Sequence, residues 1–300
     1  MSETRCGFVA LIGAPNAGKS TLVNALVGAK VSIVSRKVQT TRALMRGIVM
    51  VGEDTQIILV DTPGLFAPKR RLERAMVTTA WGGAGDADVV ALIIDVRHWP
   101  SEDSEAILTK LPELKKPKLL VLNKVDLIER EKLFEIAEDI NKRGDFKETF
   151  MVSALTGSGV ATLRDKLASF MPRGPLLFPP DEVSDAPLRQ LAAEITREKL
   201  FERVHDEIPY RSTVETEDWK TLKDGSARIE QVIYVERENQ RKIVLGEGGR
   251  TIKAIGESAR KEIADAADCK VHLFLFVKVR ENWANDPARY REMGLEFPKK

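Results

Sequence analysis

Lys19 and Ser20 stand side by side near the start of the chain, and together they could do phosphate chemistry. A lysine there supplies positive charge to the β and γ groups of a nucleotide, and the serine hydroxyl can ligate Mg²⁺. They follow Gly13-Ala14-Pro15-Asn16-Ala17-Gly18 and precede Thr21, so the stretch reads G-x-x-x-x-G-K-S. The glycines let backbone N–H groups close around an anion, and the helix predicted in STLVNALVG aims its positive end at the same point. The apolar run FVALI before it completes the context of a phosphate-binding loop.

Two further pieces fit that loop. Asp61-Thr62-Pro63-Gly64 ends the apolar run IILV; Asp61 can hold Mg²⁺ through water, and the Gly64 amide can sense a γ-phosphate. A plain Pro-Gly turn after a strand has the same letters, and both readings can hold at once. Thr40 and Thr41 lie between, where a threonine can close on Mg²⁺ when γ-phosphate is present; Thr41 is preferred. From Arg36 to Arg46 there are four basic residues and no acid, so a solvated basic loop is the alternative.

The base is chosen further on. Asn123-Lys124-Val125-Asp126 follows the run KLLVL, and a carboxylate at Asp126 can accept from the N1 and N2 hydrogens of guanine. Adenine offers neither, so it would leave that acceptor unsatisfied. Alone, the tetrapeptide also reads as an exposed helix start. Downstream of a phosphate loop and upstream of Ser153-Ala154-Leu155, whose Ala154 amide would donate to guanine O6, it reads as a guanine site. Asn123 and Lys124 would brace the base and the loop. The catalytic set predicted is Lys19, Thr41, Asp61 and Gly64.

A second glycine turn, Gly246-Glu247-Gly248-Gly249, lacks the Lys-Ser pair. Seven basic residues surround it, Arg237, Arg241, Lys242, Arg250, Lys253, Arg260 and Lys261, against Glu238, Glu247 and Glu257. Local positive charge of this kind suits contact with a nucleic-acid backbone. A purely structural helix-capping turn is the alternative.

The elements that must position these residues are legible in outline. CGFVALIG, TQIILVD, VVALIIDV, KLLVLN and TFMVSA alternate with helical stretches, which predicts strands buried on both faces of a mostly parallel sheet. The first domain, 1–172, is therefore α/β with helices on both faces. A proline-rich stretch with Pro172, Pro175, Pro179, Pro180 and Pro187 cannot sustain a helix interior and is expected to be a linker, 173–186. Residues 187–300 form a smaller α+β domain ordered α-β-β-α-α-β, with helices in LRQLAAEITREKLFERV, QRKIVL and RTIKAIGESARKEIADAA. At a net charge of +2 the whole surface is no polyelectrolyte, so nucleic-acid affinity has to come from local clusters. Cys6 and Cys269 stand far apart without ligand neighbours, which argues against zinc or a disulfide framework and for reduced thiols in the cytoplasm. With no basic leader and no apolar run of membrane-spanning length, membrane contact would be peripheral.

In their order, the nucleotide pieces resemble a translation-factor-type GTPase. A helix, a GxxG loop and a second helix within α-β-β-α-α-β order resemble a type II KH domain, whose loop lets RNA pass close. GAPNAGKS, QTTR, DTPG, NKVD and SAL, followed by GEGGRTIKAIG and the tail HLFLFVKVRENWANDPARYREMG, together resemble the bacterial Era family of GTPases along essentially the whole chain. The resemblance implies a monomeric GTPase that aids assembly of the small (30S) ribosomal subunit and grips the 3′ end region of 16S rRNA through Gly246, Glu247, Gly248, Gly249, Arg250, Lys253, Arg241 and Lys242. It also implies partial peripheral association with the cytoplasmic face of the inner membrane. Mg²⁺ is the expected cofactor, held by Ser20, Thr41 and Asp61, with GTP or GDP as ligand.

Three positions depart from pattern. Leu65 follows Gly64 where Ras-like enzymes carry a water-orienting glutamine, so intrinsic turnover should be slow. Asn16 could compensate by holding K⁺ beside the phosphates, or could be a structural turn residue. Ala14 and Glu247 stand where relatives often have basic residues; Glu247 should weaken RNA affinity. The rivals are a phosphate-loop kinase, which needs no NKxD, and a GTPase whose second domain binds protein or membrane.

Overall fold

Apolar residues at consecutive positions make both faces of β1 (Arg5–Ile12) internal. Val9 and Leu11 join one core cluster and Ala10 and Ile12 another, on opposite faces of the sheet. In this computed structural model residues 3–298 are described, apart from 36, 38, 39, 43 and 206. The chain divides into two units, the described residues of 1–32, 38–185 and 291–300 in the first, and of 33–37 and 186–290 in the second.

The first unit continues with α1 (Lys19–Val27), β2 (Met45–Val51), β3 (Thr55–Asp61), α2 (Arg71–Asp86), β4 (Val89–Asp95), α3 (Glu102–Lys110), β5 (Lys118–Asn123), α4 (Arg130–Arg143), β6 (Glu148–Val152) and α5 (Val160–Ser169). Its six strands run in the order β2-β3-β1-β4-β5-β6. All neighbours are parallel except β2, which pairs antiparallel with β3. α1 and α5 contribute to one core, and α2, α3 and α4 to the other. Each fully buried Val, Leu or Ile contributes about 1.5–3 kcal/mol to that packing. β2 is the strand that the five apolar runs did not include. Its Gly47 has no room for a side chain, since a Cβ would meet Val27 Cγ2 at 2.7 Å.

The proline-rich stretch expected as a linker, 173–186, is hydrogen-bonded to the first unit. Gln56, fully buried in β3, donates through Nε2 to Phe178 O at 2.8 Å and accepts from Leu177 N and Phe178 N at 2.9 and 3.1 Å. The Ile48 amide donates to Val183 O at 2.9 Å, and isolated antiparallel bridges join Arg5 to Arg173 and Gly47 to Ser184. Proline forbids a regular ladder, so the backbone groups are satisfied one by one.

The second unit holds α6 (Leu188–Arg203), β7 (Ser212–Thr221), β8 (Ala227–Val235), α7 (Glu238–Leu245), α8 (Arg250–Ala267) and β9 (Val271–Val279), in the expected α-β-β-α-α-β order. Its sheet runs β7-β8-β9, with β7–β8 antiparallel and β8–β9 parallel. Ile255, Ala259 and Ile263, spaced by one helical turn, form the buried stripe of α8. Gly256 brings that helix close to β9, where its Cβ would lie 3.5 Å from Leu275. Val34 and Lys37 are held here too: the Val34 amide donates to Glu198 Oε1 at 2.6 Å, and the Lys37 ammonium donates to the Phe201 and Val204 carbonyls at the end of α6.

Candidate nucleotide site and glycine-loop surface

The turn between β1 and α1 needs its glycines. Gly13 has φ 158° and Gly18 φ 94°, and a Cβ on Gly18 would fall 2.2 Å from Asn123 Nδ2. Asn16, the other turn residue at positive φ, sits at 61°, a conformation that Asn tolerates better than most residues. Lys19 is 6% exposed, and its ammonium donates to Gly13 O and Ala14 O at 3.1 and 3.0 Å. Burial lowers the Lys19 pKa to about 8, opposed by the charge of Asp61.

Ser20, Thr41 and Asp61 come together beside it. Ser20 Oγ donates to Asp61 Oδ2 at 2.6 Å and lies 2.9 Å from Thr41 Oγ1, which donates to the same carboxylate oxygen at 3.3 Å. Asp61 is fully buried; burial pushes its carboxyl pKa up, while hydrogen bonds from Ser20 and Ser32 and the charge of Lys19 pull the other way. Its Oδ1 is buried without a hydrogen-bond partner. Two hydroxyls and a carboxylate with a spare oxygen fit Mg²⁺, which keeps waters and takes phosphate oxygens as its other ligands. Among the described residues no cluster of His, Cys, Asp and Glu could hold a metal without such help.

The expected γ-phosphate sensor is close to the loop: a Cβ on Gly64 would meet Pro15 Cα at 3.0 Å. Thr62 turns inward, donating to Leu11 O at 2.7 Å. Leu65 is 2% exposed and packs in the core beside Ala10 and Ile12, while its amide donates to Gly13 O at 3.0 Å. Its side chain thus fills core space. Arg36 and Gln39, part of the expected basic loop, lie outside the described residues.

Asn123 ties three segments together. Its Nδ2 donates to Ala17 O at 2.9 Å, and its Oδ1 accepts from Lys124 N at 2.9 Å and Ala154 N at 3.0 Å. The Ala154 amide, expected to face a base oxygen, is therefore directed to Asn123 in this structure. Lys124, at φ 67°, donates to Asn16 O and to Asp95 Oδ2, both at 2.7 Å. A cavity of about 150 Å³ opens between Gly18, Thr21, Asn123, Lys124, Asp126, Leu127, Ser153, Ala154 and Leu155. Asp126 is exposed at its rim, and Leu155 is 84% exposed, leaving an apolar surface on which a flat ring can rest.

The second glycine turn bends between α7 and α8. Gly246, Gly248 and Gly249 have φ 73°, 61° and 77°. A Cβ on Gly246 would meet Thr251 Oγ1 at 2.2 Å, whereas Gly248 and Gly249 face open space, where a phosphodiester can approach the backbone. Glu247 pairs with Arg250 at 3.0 Å, both largely exposed, and Arg241 with Glu238 at 2.8 Å; Lys242 and Lys253 are exposed.

The chain matches the family model described as a 50S ribosome-binding GTPase over residues 8–124, and the KH domain model over 207–284. GTPase Era of Afipia carboxidovorans is 68% identical over 99% of this chain and 96% of its own length. The chain belongs to the Era family of GTPases. GTPase Era of Bradyrhizobium diazoefficiens is 64% identical over the same share of each chain. Two solved Era structures, each 36% identical with a TM-score of 0.92, match 97% of this chain and 99% of theirs: one is Era in complex with MgGDPNP and nucleotides 1506–1542 of 16S ribosomal RNA, the other a variant of Aquifex aeolicus Era bound to GDP·AlF4⁻.

Within this Era family member some site residues escape motif reading. Asp95 ends β4 and receives Lys124, Arg97 and His98. Burial alone would raise its carboxyl pKa, but hydrogen bonds from Arg97 and Lys124 hold it well below the usual carboxylate range. An acid ending an apolar run, as Asp61 does, was its visible signal. Ser32 donates to Asp61 Oδ2 at 2.6 Å, and Asn24 fixes that serine by accepting from Val31 N and Ser32 N at 3.0 and 2.9 Å. Neither residue has a motif letter.

Proposed function

We propose that this GTPase is a GTP-dependent RNA-binding switch in assembly of the small ribosomal subunit, engaging the 3′ end region of 16S rRNA through the Gly246–Gly249 turn and Arg241, Lys242, Arg250 and Lys253. The observation that carries this reading is the match, along nearly the whole chain, to Era solved with a GTP analogue and that RNA segment. The open space at Gly248 and Gly249 supports the assignment of the turn.

In this reading Lys19 leaves the Gly13 and Ala14 carbonyls for phosphate, whose charge restores its full protonation. Ser20, Thr41 and Asp61 would hold Mg²⁺, which neutralises charge developing on the phosphates when bound. Gly64 offers its amide to the γ-phosphate, Asp126 accepts from guanine, and Lys124 with Leu155 flanks the ring. Leu65 has no polar group to orient water, so turnover is slow unless Asn16 helps hold K⁺ beside the phosphates; equal turnover in potassium and sodium would remove that role. Partial attachment to the cytoplasmic face of the membrane would be peripheral, and among the described residues no helix is long and apolar enough to cross one.

The test is anisotropy of a labelled single-stranded RNA copying the 3′ end of 16S rRNA, titrated with the protein in GDP and in a non-hydrolysable GTP analogue. Tighter binding with the analogue is expected. Gly248→Asp should abolish it and leave GTP binding intact, because the new carboxylate points into open space and Asp tolerates that backbone. No binding in either state would overturn the RNA assignment.

A further inference from the structure

Lys118 begins β5, at the end of the strand away from Asn123, and about 3.3 Å per residue puts it roughly 17 Å from the base cavity. There the chain forms a larger cavity, about 460 Å³, within the range of small-molecule sites. Four lysines line it, Lys115, Lys116, Lys118 and Lys147, with Asp145 the one acid. Lys118 is only 8% exposed, yet among the described residues neither its ammonium nor those of the other three has a hydrogen bond or ion pair. The Lys118 stem is buried while its ammonium opens to the cavity, and four like charges lining one cavity repel one another unless an anion joins them. The carboxyl ends of α3 and α4 lie nearby, each worth about half a negative charge. Together with Asp145 they fall short of balancing four ammonium groups. Leu108, Leu111, Pro112 and Pro117 add apolar surface to the same lining.

We infer that this cavity is a second ligand site, separate from the nucleotide site, for a small phosphomonoester carrying an apolar body. The phosphate is held by Lys118 with Lys147 and the neighbouring lysines, and the body rests on the leucines and prolines. Ammonium groups and hydrocarbon in one cavity select for both parts of such a molecule. Neither part alone would fill the site.

The experiment uses the full chain saturated with Mg·GDP, so that the nucleotide site is occupied, and follows backbone amide shifts by NMR on titration with 1-naphthyl phosphate, 1-naphthol and inorganic phosphate. The expected result is saturable shifts at Leu114, Lys116, Lys118 and Lys147, with 1-naphthyl phosphate at least tenfold tighter than either other probe. Lys118→Met, which keeps the stem and removes the charge, should weaken it at least tenfold, and the exposed Lys147→Gln at least threefold. Equal affinity for 1-naphthol would reduce the site to an apolar hole, and equal affinity for inorganic phosphate would reduce it to a charge cluster. Either outcome overturns the inference, as do shifts confined to the nucleotide residues or unchanged affinity in both variants.

Discussion

At the scale of single residues, the nucleotide end of the sheet is organised by polar side chains that each hold two segments. Asp126 illustrates what direct recognition predicts. Its two oxygens would match the two donors of guanine; Asp126→Asn keeps one acceptor and loses one hydrogen bond to a charged group, worth about 1.5–3 kcal/mol, so it should weaken GTP by roughly 10–150-fold. Xanthine carries an oxygen where guanine has its amino group, and an asparagine can donate to it. The variant should therefore prefer xanthosine triphosphate over GTP, a reversal that a displacement titration would read. Asp95 acts one step away, through Lys124. Asp95→Asn should raise the Kd for GDP about tenfold with base preference unchanged. The same carboxyl gives a pH signature: its pKa falls on folding from an ordinary 3.8, so its contribution to stability is complete above about pH 4 and is lost as pH drops below that. In urea unfolding, the gap between the native protein and Asp95→Asn should begin to narrow between about pH 4 and pH 3 and continue to shrink below pH 3; a constant gap would show that the ion pairs add nothing. Asp126 could be proposed from the sequence because its tetrapeptide carries the letters of a base contact. Asp95 was harder to see, since its partner Lys124 is distant in sequence and already had an assigned role.

Elements show where local reading stops. The five parallel strands declare themselves because burial on both faces demands consecutive apolar residues, and the glycine turns because their backbone angles exclude side chains. β2 lies at the sheet edge, with Arg46 and Gly47 interrupting its apolar run. The proline-rich strap escaped for a different reason. Its anchor is a glutamine in β3, and nothing in TQIILVD says that the amide turns to residues more than a hundred positions away. Gln56→Ala leaves the Leu177 and Phe178 amides and the Phe178 carbonyl without that partner. A buried group so orphaned costs about 1–3 kcal/mol, and the urea midpoint should fall accordingly with an unchanged slope. Gln56→Glu keeps the acceptor but removes the donor to Phe178 O and buries a charge, so it should be at least as destabilising. A midpoint unchanged by either substitution would mean that the strap adds nothing to folding of the first unit.

For the whole molecule, the question is whether the two glycine turns work together. Each was legible alone: one has the lysine and serine of a nucleotide loop, the other lacks them and is ringed by exposed basic side chains. Their coupling has no motif. The chain does offer one carrier, because a single loop contains Lys37, hydrogen-bonded to α6 carbonyls in the second unit, and Thr41, beside Ser20 and Asp61 in the first. A ligand that changes the energy of the Thr41 cluster must change the energy of that loop. If RNA then binds the GTP-analogue state more tightly than the GDP state by some factor, linkage requires RNA to shift the preference for analogue over GDP by the same factor. Typical couplings of 1–3 kcal/mol correspond to about 5–150-fold, well within the range of paired titrations. Measuring nucleotide affinities with and without saturating RNA, and RNA affinities in both nucleotide states, closes the cycle. Equal factors above about 5 are expected, and Lys37→Met should bring both toward one while leaving guanine affinity in the absence of RNA nearly unchanged. Should both factors already be one in the unaltered protein, its two turns act independently and RNA binding is not switched by GTP.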